Sequence, residues 1–154
     1  MNELFHILHA SAAGALFGKV LLLSFVVAPI LAKHLEAEAF SRVVRQLFPA
    51  YYAMGIGAAI AGLISMSGLL AIHGFSVPLV LTGGIWLVIL AVESYCRSPL
   101  TPRSNMMRDQ LKEQERQGGV DPRLQDSWNR LHQRSVYLNS LVLLAGFCLV
   151  VLGR

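Results

Sequence analysis

At 154 residues the chain has the length of one domain. Apolar residues make up 55% of it, only 14% are charged, and the mean hydropathy is +0.55, which fits a polytopic membrane protein better than a soluble core. A net charge of +4 does not make it a nucleic-acid binder, because no basic patch with interleaved aromatics accompanies the charge.

A bilayer core of about 30 Å needs roughly 20 apolar residues in helix. Four segments meet that requirement, at about 7–31, 51–72, 75–96 and 135–152. The expected fold is therefore all-α, a bundle of four transmembrane helices in a single membrane domain. The N-terminus lacks a basic region before its apolar run, and that run exceeds a signal-peptide core, so the first segment reads as a retained span. The loop at 32–50 carries Leu35, Phe40, Val43, Val44 and Leu47 near helical spacing, which predicts a short interfacial helix ending at Pro49. Spans two and three, joined through "HGF", form a tight hairpin. The loop at 97–134 is the main polar region. In it, Thr101 with Pro102 predicts a helix start and Gly118–Gly119 its stop. Asp121 with Pro122 restarts a helix that meets no breaker before the fourth span, so this helix begins outside the bilayer and runs straight in.

Lys and Arg residues divide unevenly between the two sides. The first loop has three and the third has eight, eleven in all, against Arg154 alone on the other side. By the positive-inside rule both polar loops are cytoplasmic and both termini lie outside.

Lys19 interrupts the apolar run "ALFGKVLLLSFVVAPIL". It lies 12 residues from Ile7, about 18 Å into the membrane at 1.5 Å per residue. The same count puts Glu93 and Asn139 each about 24 Å from the outer face. A charge at the bilayer centre costs about 2.5–3.5 kcal/mol on insertion scales, which a partner of opposite sign offsets. Lys19 is therefore expected to face the bundle interior and to meet Glu93, with the Asn139 amide beside the pair. Ala10, Gly14 and Gly18 run four apart on span one, with Ser11 and Ala15 leading towards Lys19. Gly57, Ala61 and Ser65 do the same on span two, and such rows let helices approach closely in lipid.

Four-helix membrane bundles can hold haem between histidines. His9 with His73 at the outer end, or His34 with His132 at the inner end, are the pairs that topology permits for haem or a metal. Histidines at span ends are more often interfacial polar groups, and no cofactor is expected. Cys96 and Cys148 have no metal-ligand spacing and lie at different depths, which excludes an intrachain disulfide. No nucleophile elbow, phosphate-binding glycine loop or zinc-protease signature occurs, and no catalytic residue is assigned.

The start "ILHA", the span-one end "FVVAPIL" and the entry "LFPAYY" occur here in order. They are followed by "ESYCRSPLTPRSNMMRDQLKEQERQG" and "WNRLHQRSVYLNSLVLLAG". In this set the chain resembles the transmembrane protein 205-like family, known in bacteria as a domain of unknown function. The resemblance implies a four-helix integral membrane protein, here of a bacterial inner membrane. It transfers no catalytic residues. Vertebrate members are linked to resistance to a platinum drug, which implies transport or export. Glu93 departs from the resemblance, which leads one to expect a neutral polar residue such as Asn there.

His132, Ser135 and Asn139 fall at i, i+3 and i+7 on one helical face. With Lys19, Tyr51, Glu93 and Arg97 they define the expected site, an inward-facing polar pocket at the cytoplasmic side. Three functions follow as expectations. The first is binding or transport of a small polar or ionic solute, with transport requiring a homo-oligomer. The second is a non-catalytic subunit or assembly factor partnered with another membrane subunit. The third is a redox protein using the end-placed histidines.

Overall fold

The computed structural model describes residues 1–152; Arg154, the single charge assigned to the outer side, lies outside the described residues. Helix α1, Asn2–Leu21, passes without a break through a π-helical segment, Leu22–Val27, into α2, Ala28–His34. Leu35 and Glu36 are extended and turn the chain into α3, Ala37–His73. Gly74 ends α3 at φ 75°, a value glycine adopts without the Cβ clash of other residues. Next come α4, Val77–Tyr95, a second π segment, Cys96–Leu100, and α5, Thr101–Arg116. Gly118 makes the next turn at φ 87°, and α6, Pro122–Leu152, returns through the bundle.

Four helical stretches are long and apolar enough to cross a membrane: Asn2–His34, Ala37–His73, Val77–Arg116 and Pro122–Val151. The exterior fits lipid, with Leu4, Ile7, Ile64, Leu81, Leu87, Leu144 and Phe147 all exposed. The interior is filled by Leu16, Ala59, Leu69, Trp86, Ile89 and Leu149. Helix α1 packs on α3 and α6, and α3 packs on α4. The protein is thus an all-helical membrane bundle. One end carries Met1 and the last described residue, Leu152, and is hereafter the terminal end; the other carries the two charged connections and is the loop end.

Three helix boundaries differ from the expectations. The interfacial helix does not stop at Pro49, which lies inside the single 37-residue α3. Proline removes one backbone bond, and at this position Phe48 stacks on Tyr52 across the site and holds the two sides together. Thr101 does not cap a new helix. The chain arrives there already helical, and the Thr101 hydroxyl donates back to the Cys96 carbonyl at 2.7 Å. The first span is not uniform α-helix either. Both π segments have a proline at hand, Pro29 two residues beyond the first and Pro99 inside the second. Loss of a proline N–H and the bulk of its ring favour the wider turn. The final restart is as expected. The Asp121 carboxylate accepts from the Arg123 N–H at 2.8 Å, and α6 runs 31 residues without interruption.

The close-packing rows also differ. Ala10, Ser11, Gly14, Ala15 and Gly18 face outward, and a Cβ added at Gly14 or Gly18 would meet nothing within 4 Å. The buried stripe of α1 is His9, Ala12, Leu16 and Lys19, because the polar side chains must turn away from lipid and they set the helix rotation. On α3 the close approach is made by Gly55, Ala58, Ala59, Gly62 and Ser65, while Gly57 is exposed.

Candidate functional site

Lys19 lies in the last turn of α1, on its buried stripe. Its Nζ donates to Glu93 Oε1 at 2.6 Å and to the Tyr51 backbone carbonyl at 3.2 Å, and sits 3.9 Å from the centroid of the Tyr51 ring. Three donors thus meet a carboxylate, a carbonyl and a π face, which satisfies an ammonium group without water. The side chains are 3% and 1% exposed. Gly55 makes room for the pair: a Cβ there would strike the Glu93 carboxyl and the Lys19 Nζ. Glu93 Oε2 has no partner among the described residues. An isolated charge at this depth would be costly, and breaking such a pair leaves its survivor uncompensated, at about 3–5 kcal/mol.

The expected amide does not touch the pair. Tyr51 stands between, its backbone and ring on Lys19 and its hydroxyl donating to Asn139 Oδ1 at 3.0 Å. Asn139 Nδ2 donates to the Tyr52 hydroxyl at 3.2 Å and to the Ser135 carbonyl at 2.9 Å. The Tyr52 hydroxyl lies 3.4 Å from Ser135 Oγ. Phe48 buttresses both tyrosines, edge-on to Tyr51 and parallel to Tyr52.

This neutral network forms one wall of a cavity of about 380 Å³ at the loop end. The first π segment supplies Leu23, Ser24 and Phe25 to another wall, the second supplies Leu100, and α5 adds Ser104 and Asn105. A π turn displaces the residues beyond it around the helix axis and spreads the neighbouring backbones, and such bulges cluster at functional sites. Here both border one cavity.

Of the residues singled out in the sequence, Tyr51, His132, Ser135 and Asn139 line the cavity. Lys19 and Glu93 lie behind Tyr51, and Arg97 is exposed and outside the lining. Tyr52, Ser24, Ser104 and Asn105 line it as well. Tyr52, Ser104 and Asn105 were not singled out from the sequence. Ser24 was legible only as a lone hydroxyl in an apolar run.

The histidines are placed apart. His9 is buried, accepting from Trp86 Nε1 at 3.3 Å with the two rings edge to face. His73 bonds Asn2 at 2.9 Å, His34 is exposed at the end of α2, and His132 stacks on Trp128. Among the described residues no group of three or more His, Cys, Asp or Glu side chains is arranged to hold a metal ion. Cys96 is buried, Cys148 is exposed, and neither is in a disulfide.

No curated protein and no solved structure matches the chain. Residues 11–113 match the family described as a domain of unknown function, DUF4149. The match takes in Lys19, Tyr51 and Glu93 but stops before α6, which brings Ser135 and Asn139 to the cavity. It covers well over half of the sequence, and the chain therefore belongs to the DUF4149 family.

Proposed function

We propose that the protein is a membrane-resident small-molecule binding protein whose site is the cavity at the loop end. The loops carrying that end would lie in the cytoplasm, with both termini across a bacterial inner membrane. The carrying observation is the convergence of Tyr51, Tyr52, Ser135 and Asn139 on one cavity bordered by both π segments. Pockets with mostly apolar walls and a few converging polar groups are the usual form of a ligand site. The charge bias of the loops supports the orientation. The resemblance to the transmembrane protein 205-like family supports a role in handling small molecules.

Thermal unfolding of the purified protein in mild detergent tests the reading, with a panel of polar solutes and lipids added singly. A ligand at about 100 times its dissociation constant adds about 2.7 kcal/mol, a rise of roughly 5–10 °C for a chain of this size. Ser135→Trp, which fills the cavity, should abolish the rise. A panel that stabilises both proteins equally, or neither, sinks the proposal. Orientation is read separately. In a Cys148→Ala background, Gln117→Cys should react with an impermeant maleimide in inverted vesicles and not in intact cells.

A further inference from the structure

The cavity lining contains no Asp, Glu, Lys or Arg. His132 is the one histidine in the lining, and it is exposed and stacked on Trp128. The buried charges behind Tyr51 are engaged with each other at 2.6 Å. An ionic ligand would therefore leave water for a site that offers no counter-charge, which is heavily penalised in an apolar surrounding.

Neutral hydrogen bonding is in supply. Asn139 spends both amide hydrogens on Tyr52 and Ser135, and Tyr51 spends its own on Asn139. The Tyr52 and Ser135 hydroxyls share one hydrogen across 3.4 Å, which leaves the other for an incoming acceptor. The second lone pairs on the Tyr51, Tyr52 and Asn139 oxygens can accept from a donor. The site thus fits an oxygen-bearing head group such as a carbonyl or a hydroxyl.

The opening points to lipid. Phe25 and Val136 border the cavity and are 66% and 50% exposed on the apolar outer surface. A volume of about 380 Å³ lies near the small end of ligand sites, which run to roughly 1,000 Å³. It holds a head group and the first carbons of a chain, while the remainder passes out between the first π segment and α6.

Building on the binding role proposed for this cavity, we infer that its ligand is an uncharged amphiphile. Its oxygen-bearing head is held by Tyr52, Ser135 and Asn139, and its hydrocarbon chain leaves sideways past Phe25 and Val136. A membrane quinone and a neutral lipid alcohol both present this chemistry.

The test is photo-crosslinking of the full chain in mild detergent with three chain-matched diazirine probes: hexadecanol, hexadecanoate and hexadecyl-trimethylammonium. The alcohol should label peptides containing Leu22–Val27 or Ser135–Leu143 at least about tenfold more than either charged probe, since an uncompensated charge costs more than one decade. Ser135→Trp should remove the labelling. If that variant fails to fold, Ser24→Phe closes the same cavity from the first π segment. Excess decyl-benzoquinone competing better than dioleoylglycerol assigns the quinone source, and the reverse order assigns the lipid alcohol. Stronger, cavity-dependent labelling by a charged probe overturns the ligand class and leaves the binding role standing. Labelling that is weak for every probe, or unchanged when the cavity is filled, overturns both.

Discussion

Near the terminal end, His9 meets Trp86, the Trp86 ring seats against Gly62, and the Phe5 ring seats against Gly68. The Phe5 carbonyl accepts from Ser65 at 2.5 Å, and the polar groups are enclosed by aromatic rings fitted into glycine sockets. Near the loop end the same helices carry a larger polar cluster, and there the bundle is open. Among the described residues both π segments lie in this half, and so does Pro49, the proline inside α3. Regular helices with small residues at their contacts close on one another, whereas widened turns keep backbones apart. At the terminal end the contact of α1, α3 and α4 is closed and an apolar groove between α4 and α6, lined by Val80, Gly84, Val88 and Leu141, stays open; of the two openings, only the loop-end cavity has polar side chains on its wall.

Within the loop end the contrast recurs between the dry ion pair and the cavity that Tyr51 separates from it. Breaking the pair should have the largest effect of any change in the protein. Lys19→Met or Glu93→Gln alone should cost about 3–5 kcal/mol, because each strands a buried partner. The double variant Lys19→Met with Glu93→Gln should recover most of that loss, as apolar or neutral replacement of a buried pair is often close to neutral. Thermal unfolding of all four proteins in one detergent closes the cycle. Additive losses in the double variant would mean the two side chains act separately.

The glycine sockets come next. Gly55→Ala would drive a methyl group into the Glu93 carboxyl and the Lys19 ammonium, and Gly62→Ala into the Trp86 ring. Each should cost about 1–3 kcal/mol, as overpacking of a filled interior does. Gly14→Ala and Gly18→Ala have open space around them and should cost nothing. Equal losses at all four positions in unfolding measurements would remove the distinction between the inward and outward faces of α1 and α3.

Those four glycines also mark what was legible beforehand. The spans, the cap at Asp121, the Gly118 turn and the inward placement of Lys19 against Glu93 follow from hydropathy, capping chemistry and the cost of a charge in lipid. Spacing alone chose the wrong small-residue face on α1. A row of small residues shows that a close approach is tolerated, while the rotation of the helix is set by the polar groups that must be buried. The cavity was half legible. Tyr51, His132, Ser135 and Asn139 share faces that periodicity reveals. The intervening position of Tyr51 and the π segments depends on how prolines are absorbed in three dimensions, and a linear pattern carries no record of that.

Tyr51→Phe separates the pair from the cavity more finely. It keeps the ring under Lys19 and the backbone carbonyl on Nζ, and removes only the bond to Asn139. A stability loss of about 1 kcal/mol is expected, one net hydrogen bond, with the ion pair intact. A loss as large as that of Lys19→Met would mean that pair and cavity form one unit.

The smallest effect lies outside the membrane. Arg45 on α3 donates to both Asp109 oxygens on α5, at 3.0 and 2.5 Å, and ties the two helices together beyond the bilayer. The guanidinium, chiefly through its hydrogen bonds, holds the Asp109 carboxyl below its ordinary value. A carboxyl depressed in the folded state stabilises above its unfolded pKa, and that contribution disappears as pH falls through the lower folded value. Both side chains are substantially exposed, so the pair is worth at most about 1 kcal/mol even at neutral pH. The wild type should therefore unfold slightly above Asp109→Asn at pH 7, with the two curves converging on acidification below the normal carboxylate range. The gap should also narrow in high salt, because exposed charges are screened. A gap that persisted in acid would have to come from packing of the Asp109 side chain. The loop-end extension of α3 would then be fastened to α5 by contact, with charge as a bystander.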